Sequence, residues 1–228
     1  MGEAIEFPSN GSTGGGYLAT PSSGSGPGVV VIQEWWGLVP HITDVADRFA
    51  AEGFVALAPD LYHGKQAPNS EPDEAGKLMM AMELDGAAKD LSGAVDELQR
   101  RTGHDSVGVV GFCMGGGLAL VLACRRPDAV KACVPFYGAI PWPDAQPDFS
   151  KLGGPVLSHV AEQDDWFGPD AAAKQHATIT ALGQRSEYHV YPGTQHAFFN
   201  DTRPEVHDAE AAGLAWRRTI EFLHAELG

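Results

Sequence analysis

From residue 28 onward, short apolar runs alternate with longer amphipathic stretches. The runs Val29–Gln33, Phe54–Ala58, Ser106–Gly111, Val130–Phe136, Pro155–Val160 and Glu187–Tyr191 are valine-rich and nearly continuous in apolar residues. That is the pattern of strands covered on both faces. Between them, His41–Glu52, Pro72–Arg101 (with a break expected near Gly86), Met114–Arg126, Pro169–Leu182 and Glu205–Leu227 read as helices. In the last, Leu214, Trp216, Ile220, Leu223 and Leu227 supply an apolar face suited to core packing. Strand–helix alternation predicts an α/β fold, a mostly parallel central sheet with helices on both faces. In such sheets the reacting groups gather at the carboxyl ends of the strands. Ahead of this pattern, Ser9–Gly28 is rich in Gly and Ser. Ala4-Ile5-Glu6-Phe7 precedes it and Tyr17-Leu18-Ala19 interrupts it, so an N-terminal hairpin is expected there rather than a linker.

Composition narrows the choices. A chain of 228 residues with 43% hydrophobic and 20% charged positions is expected to form a single domain, 1–228, with a sizeable core. A net charge of −15 is a poor match for nucleic acid or an anionic membrane surface. No apolar run approaches the ~20 residues of a membrane span, and the first ten residues lack a secretory pattern. Three cysteines leave at least one unpaired, which suits a reduced, cytoplasmic protein, read as a monomer or small homo-oligomer.

The chemistry concentrates in Gly111-Phe112-Cys113-Met114-Gly115, which follows the strand at Ser106 and opens a helix. This is a nucleophile-elbow pattern with Cys113 in the usual serine position. A nucleophile held in so tight a turn needs glycine neighbours, and the helix amino end favours a thiolate. The backbone N–H of Met114 is then a donor for a developing oxyanion. In elbow enzymes the chain order is nucleophile, acid, histidine. Asp164-Asp165 follows one strand and His196 follows the next, so each element falls at a strand's carboxyl end in the required order. Cys113 would attack an acyl carbon, His196 would accept its proton and later activate water, and the acid would orient the imidazole. Counting forward from the strand selects Asp164; counting back from Pro169 leaves Asp165 as the alternative acid.

Gln33-Glu34-Trp35-Trp36-Gly37 ends the first long strand. A carboxylate beside two tryptophans needs a partner. Glu34 is read either as a salt-bridged loop residue or as a pocket acid close to Cys113, in which case the N–H of Trp35 is the second oxyanion donor. Trp36 and Phe198 are expected to contact substrate. No metal-ligand spacing or phosphate loop is present, so no metal or organic cofactor is expected.

These residues resemble the dienelactone hydrolase family of the α/β-hydrolase superfamily, from about Val29 to Leu227. The likeness rests on Gln33-Glu34-x-x-Gly37, Pro59-Asp60-Leu61-Tyr62, Gly111-Phe112-Cys113-Met114-Gly115-Gly116, Ala161-Glu162-Gln163-Asp164 and Gly193-x-x-His196-x-Phe198. It implies a Cys113–Asp164–His196 triad acting on small-molecule esters or lactones, carboxymethylenebutenolidase-like, with Glu34 helping to form the thiolate when substrate arrives. Family members specific for dienelactone carry an arginine shortly after the histidine; here Phe198-Phe199-Asn200 follows, with no arginine before Arg203. A second family arginine belongs near Glu71–Met82, where this chain offers only Lys77. Both departures point away from a strongly anionic substrate. Thioester hydrolysis or acyl transfer on the same triad, and a non-catalytic small-molecule binding module, are the alternatives.

Overall fold

Asn10 and Gly11 both take positive φ, 40° and 98°. This is the backbone of a two-residue hairpin turn whose twist matches its strands. It joins β1 (Glu3–Ser9) to β2 (Ser12–Ala19), with Ser9 opposite Ser12. The expected N-terminal hairpin is present, and the glycine-rich stretch is mostly strand. The computed structural model describes residues 2–228. The chain divides into two compact units, Met1–Val109 and Val110–Gly228.

In the first unit the strand order is β1-β2-β4-β3, with β3 Gly28–Ile32 and β4 Val55–Pro59. β2 runs antiparallel to both neighbours, while β3 and β4 are parallel. Every residue of β3 and β4 is buried, as their valine-rich runs predict. Helices α1 (Pro40–Ala51), α2 (Pro72–Ala81) and α3 (Leu84–Thr102) complete the unit. A side chain at Gly16 would stand 2.7 Å from the Ala58 carbonyl, and one at Gly93 would stand 2.4 Å from that of Pro8. Glycine therefore sets how closely β2 approaches β4 and α3 approaches β1. The break in the long helical stretch falls at Met82-Glu83, whose ψ angles of 126° and 110° are extended, and not at Gly86. Gly86 lies in the first turn of α3, where backbone N–H groups have no intrahelical acceptor, so the glycine does not interrupt the helix.

The division falls within β5 (Val107–Phe112). The second unit continues with α4 (Met114–Arg125), β6 (Val130–Phe136), β7 (Val156–Gln163), α5 (Pro169–Ala181), β8 (Ser186–Gln195) and α6 (Ala209–Leu227). Its strands follow the order β5-β6-β7-β8, with β6, β7 and β8 parallel. All residues of α4 from Met114 to Cys124 are buried, consistent with an almost wholly apolar helix. α6 starts four residues later than its pattern suggests, at Ala209. Asp208 caps it by accepting from the Ala211 N–H at 2.9 Å, and both the Asp208 N–H and the His207 ring meet the Phe198 carbonyl. The segment ahead of the helix is thus held to the loop that carries His196. Among the described residues, no helix is long and apolar enough to cross a membrane.

Candidate active site

The elbow shows why its glycines are required. A side chain at Gly111 would stand 2.0 Å from the Gly115 carbonyl, and one at Gly116 would stand 2.7 Å from the Gly138 Cα. Both obstacles are backbone, so nothing flexible could move aside. Cys113 sits between them at φ 55°, ψ −121°. This is a strained conformation for a residue bearing a Cβ. It is held there by its neighbours: its N–H donates to Phe136 O at 3.0 Å, and its carbonyl accepts from Gly116, Gly117 and Ala139. Met114 opens α4, at the end where first-turn N–H groups point out of the helix.

Cys113 is half-buried, whereas Cys124 and Cys133 are buried. Burial pushes the Cys124 thiol up to about 12 and Cys133 well above the ordinary range. Those two thiols remain protonated and inert.

His196 donates from Nδ1 to Asp164 Oδ2 at 2.8 Å. It also forms a side-chain hydrogen bond with Cys113. With Nδ1 committed to the carboxylate, Nε2 is the nitrogen left for the thiol. Burial opposes charge on this ring, but Cys113 and the Asp164 carboxylate outweigh it and push His196 up to about 10. The Asp164 side chain is fully buried. Its other oxygen accepts from the N–H groups of Trp166 (2.8 Å) and Phe167 (3.1 Å). Burial raises the Asp164 pKa, yet the His196 hydrogen bond and charge, with these two N–H groups, bring it below the usual carboxylate value. Asp165 is exposed, so the acid facing His196 is Asp164.

An irregularity between β7 and β8 aims both residues. Ala161 pairs with Tyr191 and Gln163 with Gln195, so two steps along β7 correspond to four along β8. Bulges of this kind re-aim side chains next to active sites. The Glu162 carboxylate braces this one by accepting from the Gly193 N–H at 2.8 Å. Both strands therefore run further than their apolar cores suggest, β7 to Gln163 and β8 to Gln195, which delivers Asp164 and His196 directly from strand ends.

Among the described residues, three of the five non-glycine ones with positive φ belong to this region: Cys113, Tyr137 and Ala197. Tyr137 follows β6 directly, and its ring meets that of His196 edge-on at 5.0 Å. Sequence reasoning passed over it, although the rule that reacting groups gather at strand carboxyl ends applies to β6 as much as to β7. Phe198 is wholly buried between the rings of Tyr137 and Tyr191. It supports the histidine turn from the core, and the expectation that it contacts substrate is corrected accordingly. Trp36 is likewise buried, against Ala67 and Ala75 of the first unit, and is core there rather than pocket wall. Glu34 is buried and Trp35 half-buried in that same unit. Among the described residues, no group of His, Cys, Asp or Glu is placed to hold a metal ion.

Behind the site lies a buried polar network. His159 of β7 is fully buried and meets Tyr191 Oη at 2.8 Å and Thr219 Oγ1 at 2.9 Å. Thr219 donates to the Ala215 carbonyl, so it accepts from His159 Nε2–H, and Nδ1 accepts from the Tyr191 hydroxyl. The Tyr191 oxygen in turn accepts from Arg218 at 3.2 Å. Burial, with His189 and Arg218 nearby, holds His159 well below the ordinary histidine pKa. The neutral ring thereby ties β7 and β8, the two strands that end in Asp164 and His196, to α6.

The fold agrees with comparisons to known proteins. The chain is 42% identical to "Protein usf" of Aquifex pyrophilus, over 97% of each chain. It is 37% identical to a protein named "Putative carboxymethylenebutenolidase" from Aquifex aeolicus, over the full length of both. The crystal structure titled "Putative Dienelactone Hydrolase" from Klebsiella pneumoniae superposes with a TM-score of 0.86 at 28% identity, covering 98% of this chain and 99% of that one. The dienelactone hydrolase family model matches residues 15–227. An α/β-hydrolase fold, relatives matched end to end and a family match over nearly the whole sequence place this chain in the dienelactone hydrolase family.

Proposed function

We propose that this member of a lactone- and ester-hydrolase family works by covalent catalysis on Cys113. The observation that carries the reading is one imidazole, His196, hydrogen-bonded on one side to Asp164 and on the other to Cys113 at a strained elbow. His196 takes the thiol proton through Nε2, and the thiolate adds to the substrate carbonyl. The N–H of Met114 receives the developing oxyanion. Collapse breaks the bond to the alkoxide, which takes its proton from His196 and leaves an acyl-thioester on Cys113. For a lactone the alkoxide stays attached to the same acyl group. His196 then deprotonates water, the hydroxide adds to the thioester, and the acid departs as the thiolate re-forms. Asp164 fixes the ring's tautomer and stabilises the imidazolium throughout. Glu34 assists thiolate formation on substrate arrival.

Cys113→Ala tests the reading. Hydrolysis of a model aryl ester should fall to the level without protein, and intact-mass measurement of the wild type with a slow ester should find one acyl group on Cys113. Full activity in Cys113→Ala would overturn it. For Glu34, alkylation of Cys113 should slow in Glu34→Gln; an equal rate would remove that role.

A further inference from the structure

The mechanism uses one face of the Asp164 loop. Trp166 and Phe167 of the same loop also border a groove of about 340 Å³ that lies wholly within the second unit. Its walls include Ile140, Phe149, Trp166 and Phe167, with Gln146 and Gln175 adding side-chain amides. Among the described residues, no charged side chain lines it. Trp166 is 64% exposed, a large apolar surface left open.

Two sets of hydrogen bonds join the groove's walls to the reacting centre. Ala139, in its wall, donates its N–H to the Cys113 carbonyl. Trp166 and Phe167, in the opposite wall, donate theirs to Asp164. The groove thus runs between the loop after β6 and the loop after β7, each bonded to a different member of the proposed triad. Its volume is more than twice the ~150 Å³ of an apolar cavity that admits a benzene ring, so it has room for a bicyclic aryl group or an alkyl chain of several carbons. A carboxylate placed there would lose its hydration without gaining a cation.

We propose that this groove binds the larger substituent of a neutral ester substrate, an uncharged aryl or alkyl group, and so sets the enzyme's selectivity for apolar over anionic substrates. The proposal rests on the covalent mechanism above for its link to turnover, but binding to the groove can be measured without turnover.

Two sets of measurements separate these. The first uses 2-acetonaphthone, a neutral ketone that cannot be hydrolysed, and its anionic counterpart 2-naphthoate, titrated calorimetrically into the intact protein. The ketone should bind at least tenfold more tightly than the carboxylate, and Ile140→Trp, which fills the groove, should weaken the ketone about tenfold. Phe149→Ala, which widens it, provides a second variant should the first fold poorly. Equal binding of the two ligands, or ketone binding unchanged in both variants, would overturn the proposal. The second set compares kcat/KM for p-nitrophenyl octanoate against acetate, and for 2-naphthyl acetate against phenyl acetate. Ile140→Trp should lower the preference for the larger group about tenfold in one series or both; a shift below twofold in both series, in both variants, would also overturn it. Hydrolysis persisting in Cys113→Ala would refute the covalent mechanism alone, leaving the calorimetric result to decide on the groove.

Discussion

Replacing Cys113 with glycine should leave a more stable protein than replacing it with alanine. Alanine retains the Cβ, and with it the strain of holding φ 55°, ψ −121°. Such conformations cost a residue with a side chain about 1–3 kcal/mol, while glycine enters them freely. Two effects oppose the gain. Glycine in the unfolded chain has more freedom to lose, ~0.5–1 kcal/mol. Removing the alanine methyl also gives up burial worth at most ~0.8 kcal/mol, reduced here because residue 113 is only half-buried. With strain near the middle of its range, the balance favours glycine by about 1 kcal/mol, or ~2–4 °C in Tm for a chain of this size. Calorimetric melting of Cys113→Ala and Cys113→Gly at one pH measures the difference. Cys113→Gly melting below Cys113→Ala would show that strain at this residue is smaller than the ~1–1.5 kcal/mol of the opposing effects and would refute the reasoning. The predicted sign reverses the ordinary ranking of alanine over glycine, so an accidental match is improbable.

The remaining predictions address the acid, the thiols and the buried network. Asp164→Asn should lower kcat/KM for an aryl ester by ~10³–10⁴-fold, as loss of the orienting carboxylate does in related triads, while Asp165→Asn stays within about twofold; similar losses in both would remove Asp164 from its role. A maleimide reagent should modify Cys113 well before Cys124 and Cys133, which burial keeps protonated, and peptide mapping after short exposure reads the order. Thr219→Val leaves the buried His159 Nε2–H without its acceptor and should cost ~1–3 kcal/mol in urea unfolding, with a smaller loss contradicting the assigned tautomer. Because the folded pKa of His159 is depressed, the unfolded chain takes up a proton there that the folded chain does not once pH falls below about 6.5. The wild type should therefore lose stability from this site between pH 7 and 5, at up to ~1.4 kcal/mol per pH unit in the lower part of that range, and its advantage over His159→Gln should narrow; a constant gap would refute the linkage.

The parts of this fold legible in the sequence are those where one physical demand dominates. Valine-rich runs such as Val29–Ile32 and Val107–Val110 must be covered on both faces, and they are strands buried throughout. The glycines of the elbow have no alternative, since a Cβ at Gly111 would collide with backbone. What escaped was set by pairing between distant segments. The end of β8 cannot be read from Pro192-Gly193-Thr194-Gln195, because those residues join the strand only through the bulge against β7 and the Glu162–Gly193 hydrogen bond. Phe198 and Trp36 look like pocket walls when only their nearness to chemistry in sequence is weighed, yet each is buried among aromatic or small side chains of its own unit. Asn10-Gly11 is different, because its hairpin signal is local: two adjacent residues that both take positive φ. Tyr137 shows the same selectivity in reverse, since its position after β6 marked it while its aromatic identity alone suggested only core. At the site itself, residue types announce the chemistry, but the choice between Asp164 and Asp165 turns on which carboxylate the β7–β8 irregularity aims inward. Asp164 follows the end of β7 directly while Asp165 lies in the bend after it, so a single step along the chain separates a buried acid bonded to His196 from an exposed one.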